Sequence, residues 1–136
     1  MHKKGFTLLE ILVVIAVLAL LIFFLVPNLL SVQDRGKEAA VKGVMRNVQL
    51  AVEAYNMENL IYPIGSDVPL KTFIENYLMP GGYMTEVPKN PFTGVAYTDG
   101  DSSGKVMYSY DDSTGKYSLK GYKRGGLLKI IELTNM

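Results

Sequence analysis

Residues 1–27, MHKKGFTLLEILVVIAVLALLIFFLVP, decide how the whole chain is organised. From Phe6 to Val26 only Thr7 and Glu10 interrupt an apolar run of 21 residues. As a helix rising about 1.5 Å per residue, the run spans roughly 30 Å, which is the thickness of a bilayer's hydrocarbon core. Lys3 and Lys4 precede it. The positive-inside rule therefore predicts a cytoplasmic N-terminus and an exported chain from Pro27 onward, with Arg35 and Lys37 lying farther from the span. The residues after the run, Val26-Pro27-Asn28-Leu29-Leu30, offer no small-residue cleavage site of the secretory kind. A leader would instead be cut where Gly5 meets Phe6, which leaves the apolar helix on the mature chain.

Glu10 is the anomaly in this run. A carboxylate within a span costs on the order of 3 kcal/mol at the bilayer centre, less toward an interface, and calls for a partner. Phe6 lies about one helical turn earlier, and a cut at Gly5–Phe6 would give it an α-ammonium. Between two chains packed side by side with an axial offset of about one turn, the carboxylate of one would face the ammonium of the next.

The series Lys3-Lys4-Gly5-Phe6-Thr7-Leu8-Leu9-Glu10, followed by the apolar run and Pro27, closely resembles the class III signal sequence of type IV pilins and type II secretion pseudopilins. The resemblance implies that a prepilin peptidase cleaves after Gly5 and methylates the new amino group of Phe6. It implies that Glu10 promotes docking by pairing with a neighbour's N-terminal amine, with Thr7 and Pro27 as further assembly positions. At Pro27 a kink is expected, since proline removes a helix hydrogen bond, and the family reading adds local unwinding toward Gly36 on assembly. The implied partners are copies of the same chain in a helical filament, an inner-membrane assembly platform and minor pilins. The implied location is a single pass through the cytoplasmic membrane, then an extracellular or periplasmic filament.

Beyond Pro27 the pattern becomes amphipathic, with Val41, Val44, Met45, Val48, Val52 and Tyr55 at helical spacing. Leu70, Phe73, Ile74, Tyr77 and Leu78 repeat that spacing and predict a short helix, with Pro69 suited to its first position. Strands are expected at residues 106–110, 117–122 and 127–133, with a turn at 111–116 between the first two. The expected fold is α+β and pilin-like: a leader at 1–5, a transmembrane or filament-core helix at 6–26, and an exported domain at 27–136. Within that domain the helix runs to about residue 58, a connecting segment covers 59–95, and an antiparallel sheet covers 96–136. The stretch from Gly82 through Pro88-Lys89-Asn90-Pro91-Phe92 to Tyr97 is similar to the proline-bracketed segment of major pseudopilins.

Composition narrows the chemistry. Cysteine is absent and the one histidine is His2, ahead of the apolar run, so thiolate, triad and histidine–zinc catalysis lack their groups and no enzyme is expected. Asp99, Asp101, Asp111 and Asp112 stand in glycine- and serine-rich turns. Such carboxylates are weak calcium candidates, because aspartate also favours turns for its own backbone hydrogen bonds. The net charge of +1 would become −1 on loss of Lys3 and Lys4 with the leader, which gives no sign of a phosphate-binding surface. Lys116, Lys120, Lys123, Arg124 and Lys129 read as a solvated sheet edge, so nucleic acid is not an expected partner. Three functional readings follow: a pilus subunit, a pseudopilin of type II secretion or competence, and a signal-anchored exported binding domain that does not polymerise.

Overall fold

The computed structural model describes residues 5–136, so Lys3 and Lys4 lie outside the described residues. One helix, α1 (Leu8–Asn59), contains both the apolar run and the amphipathic stretch. It starts just after Thr7 and runs through Pro27, whose missing N–H leaves the carbonyl of Phe23 without its usual helical donor. Nearby, the Asn28 side chain donates to the carbonyl of Phe24 at 3.4 Å. The backbone is helical from Pro27 through Gly36.

Residues 36–136 form a compact unit around the second half of α1. Val41, Met45, Val48 and Val52 have no solvent exposure, and Val44 and Tyr55 pack half-buried beside them. Those are the positions at helical spacing, and they form one stripe because offsets of 3, 4 and 7 residues fall on one helix face. Against that stripe lies a four-stranded antiparallel sheet in the order β1 (Val68–Pro69), β2 (Val106–Asp111), β3 (Lys116–Tyr122), β4 (Lys129–Thr134). Pairing sets Val106 opposite Gly121, Tyr108 opposite Leu119 and Leu119 opposite Leu133. Alternate residues Val106 and Tyr108 of β2, and Tyr117, Leu119 and Gly121 of β3, face inward.

The connecting segment supplies the rest of the core. Val68 and Pro69 pair with β2, adding an edge strand where a lost N–H is tolerated. Pro69 then caps the four-residue α2 (Leu70–Phe73), which widens into a π-helical turn at Ile74–Leu78. Leu70, Phe73, Ile74 and Leu78 are all buried, and the Phe73 ring stacks on Tyr108 with centroids 3.9 Å apart. The β2–β3 turn is tied by Asp111, whose carboxylate accepts from Ser113 N at 3.0 Å and the Thr114 hydroxyl at 2.9 Å. Residues 127 and 128, expected in strand, instead sit in the turn before β4, where Leu127 is 90% exposed. Two consecutive glycines with positive φ, Gly125 and Gly126, fold the chain back there before pairing can begin.

A carboxylate holds the sheet to the helix. Glu53 of α1 accepts from the Tyr117 hydroxyl at 2.7 Å, the Tyr62 hydroxyl at 2.9 Å and the Met136 amide at 3.1 Å. Burial, followed by the Glu53 bond, pushes the Tyr62 phenol up to about 12, and the same causes in the same order push Tyr117 upward. In the unfolded chain these phenols ionise near their ordinary value of about 10. The Tyr62 contribution is therefore complete below pH about 10 and is lost as the pH rises through about 12, while that of Tyr117 persists to higher pH. Thermal melts should hold a constant Tm from neutral pH to about 9 and fall steeply above 10, and Tyr62→Phe should flatten that fall.

Candidate functional site

The start of α1 brings together the residues around the expected cut. Gly5 and Phe6 precede the helix and are exposed, with Phe6 at 85% and nothing within 4 Å of the position a Gly5 side chain would take. The junction between them is therefore open to a protease. Thr7 and Glu10 close the helix on each other: the Thr7 amide donates to Glu10 Oε2 at 2.8 Å, and the Glu10 amide donates to Thr7 Oγ1 at 3.2 Å. This is a capping box, in which two backbone donors that the first turn leaves without helical partners are satisfied reciprocally. The carboxylate also sits at the positive end of the helix dipole. In the uncut chain Glu10 is therefore partnered by its own helix start. Thr-x-x-Glu just before an apolar run is the sequence signature of such a box, and an account of Glu10 by charge alone passes over it.

Every large apolar residue from Phe6 through Val32 is exposed. α1 is long and apolar enough to cross a membrane in this region. A continuous apolar surface of this kind is not stable in water and marks contact with lipid or with other chains. Pro27 lies within it, beside a shallow apolar hollow lined by Ile22, Leu25, Val26, Asn28, Leu29 and Val32.

The aspartates are engaged locally. Asp99 accepts from the Thr72 hydroxyl through both oxygens at 2.8 Å. Asp101 accepts from Asn90 Nδ2 at 3.0 Å, from the Thr98 amide at 3.0 Å and from the Thr98 hydroxyl at 2.8 Å. Partial burial alone would raise the Asp101 carboxyl, but these donors outweigh it and hold the group below its ordinary value. Asp111 is held below its ordinary value by the Ser113 and Thr114 hydroxyls of its turn, and Asp112 is exposed beside it. Among the described residues no three acidic or histidine side chains converge as metal ligands. Of the basic residues near the C-terminus, Lys129 pairs with Glu132 at 2.6 Å and Arg124 stacks on the Phe92 ring at 5.5 Å.

Residues 1–26 match the family described as the prokaryotic N-terminal methylation motif. The chain is 32% identical over 97 residues to the type II secretion system core protein G of Vibrio cholerae, covering 66% of each chain. It is 30% identical over 100 residues to the core protein G of Klebsiella michiganensis, covering 68% of this chain and 70% of that one. It is also 26% identical over 116 residues to the type IV wide pilus major component PilA4 of Thermus thermophilus, covering 85% of this chain and 87% of that one. No solved structure matches it.

Proposed function

The chain belongs to the family of type IV pilins and type II secretion pseudopilins, whose members are structural subunits rather than enzymes, and on that premise we propose that it is the subunit of a helical filament assembled through α1. The observation that carries this reading is the exposed apolar half of α1, opened by a carboxylate whose own helix start holds it. In the precursor that half spans the cytoplasmic membrane with residues 36–136 on the outer side. A prepilin peptidase removes residues 1–5 and methylates the amine of Phe6. At the assembly platform, with minor pilins, the helix exchanges lipid for neighbouring helices, so driving force comes from packing and from polar pairing rather than from removal of water.

Glu10 supplies the polar pairing. Its carboxylate accepts from the Phe6 ammonium of the adjacent subunit, and this bond favours one axial register among many that apolar side chains alone would tolerate. A head-to-tail interface that does not close on itself propagates as a filament. Mass spectrometry of the mature protein tests the processing step. The expected N-terminus is Phe6 carrying one methyl group, and an intact Met1 would refute the reading.

A second reading, the major subunit of a type II secretion or competence pseudopilus, is favoured by the similarity to the type II secretion core protein G relatives. Co-purification with an outer-membrane secretion channel separates it from a long surface fibre. A signal-anchored domain that never polymerises would be processed differently and would give no filaments on overexpression.

A further inference from the structure

Asn90 is a polar side chain with no solvent exposure, and its amide is engaged on both atoms. Nδ2 donates to Asp101 Oδ2 at 3.0 Å and to the Ser103 carbonyl at 2.9 Å, while Oδ1 accepts from the Phe92 amide at 3.0 Å. This pattern fixes the orientation of the group, because a reversed amide would set its oxygen against two oxygens and its NH₂ against an N–H. Gly104 seals the arrangement with φ +70, and a side chain there would stand 2.6 Å from Asn90 Oδ1. The positive end of a buried amide thus lies between one carboxylate oxygen and one backbone carbonyl. Carboxylate and carbonyl oxygens that converge in a loop are the ligand types a hard divalent cation also takes.

We propose that the Asn90 side-chain amide occupies the place of a divalent cation in the loop of residues 90–104, joining Asp101 to Ser103 so that the loop closes without metal. Two directional N–H donors satisfy the oxygens that a cation would otherwise neutralise. Thr98 adds its N–H to the same Oδ2 and its O–H to Oδ1, so both oxygens of Asp101 have donors. Asp99 is turned toward Thr72, and Asp111 and Asp112 belong to the β2–β3 turn. One substitution would turn this arrangement into a cluster of oxygens of the type a hard cation takes. Asn90→Asp exchanges the bridging NH₂ for an oxygen and sets three oxygens facing one another with no proton between them. That cluster opposes folding until a cation enters it.

Thermal unfolding of the full chain in detergent micelles, followed by circular dichroism, tests this with calcium at about 5 mM against a chelator. The wild-type Tm is expected to agree within about 1 °C in the two conditions. Asn90→Asp is expected to lose about 5 °C or more in chelator and to regain much of that loss in calcium. If that variant is unfolded in chelator, calcium-driven refolding supports the proposal and failure to refold overturns it. Asp101→Asn should lower Tm in a way calcium does not restore. A calcium-dependent rise in the wild type or in Asp101→Asn, or a folded Asn90→Asp indifferent to calcium, overturns the proposal.

Discussion

Glu10→Ala is expected to leave the precursor inserted and cut after Gly5 while filament yield falls by about two orders of magnitude or more. The expected magnitude follows from what is lost. Removing one partner of a desolvated charge pair costs about 3–5 kcal/mol, because the other charge stays behind uncompensated. Here the remaining charge would be the Phe6 ammonium of the neighbouring subunit, and the loss recurs at every subunit of the filament. At about 1.4 kcal/mol per factor of ten, even the lower figure exceeds two decades in the equilibrium for adding one subunit. Insertion moves the other way, since the mutation removes a charge from the span. The capping box supplies a sharper comparison. Glutamine can replace glutamate in such a box, so Glu10→Gln keeps the Thr7 contacts that close the helix and removes only the charge. Sheared filament counted by electron microscopy, with processing followed by mass, should show Glu10→Gln failing nearly as badly as Glu10→Ala. Normal filaments from Glu10→Gln would make Glu10 a helix cap and nothing more.

Much of this architecture can be read from residue spacing. Val41, Met45, Val48 and Val52 lie at helical intervals, and the face they define is the one that is buried. β2 and β3 are rich in tyrosine and alternate inward and outward with period two, so pattern and structure agree. What escaped depends on partners distant in sequence. Val68-Pro69 becomes a strand only because β2 offers it an edge, and proline there argues locally against pairing. The widening of α2 into a π turn is invisible because Ile74 and Leu78 stay on the buried face in either helix type. Leu127 and Leu128 carry a strand's hydrophobicity, but the two glycines before them decide the local backbone. The Thr7–Glu10 box is legible as Thr-x-x-Glu, and it partners the carboxylate within three residues in the uncut chain. The hydrogen-bond partners of Asp101, the Thr98 hydroxyl and the Asn90 amide, are not legible in the residue type, because only the folded loop brings them near.

Gly121→Val should unfold the compact unit of residues 36–136 at temperatures where the wild type is stable. Gly121 lies on β3 where α1 crosses it, and a Cβ added there would stand 2.4 Å from Met45 Sδ and 3.4 Å from Val41 Cγ1. Real side chains do not tolerate the first distance, so either Met45 or the strand must move. Met45 and Val41 have no solvent exposure, which denies the methionine an outward escape. The strand is held by Val106 on one side and Ile131 on the other, next to a register shift between Gly121 and Tyr122. Glycine is therefore required here for close approach of helix to sheet rather than for an unusual backbone angle. Overpacking a core by a few methyl groups costs about 1–3 kcal/mol and more where neighbours cannot yield. In a domain of this size each kcal/mol lowers Tm by about 4–8 °C. The decisive measurement is a double-mutant cycle with Met45→Ala, which alone leaves a cavity costing about 2–5 kcal/mol. If the two groups collide as the geometry requires, Gly121→Val combined with Met45→Ala is less destabilised than the sum of the single changes, by about 1 kcal/mol or more. Additive losses would place the strain elsewhere in the sheet.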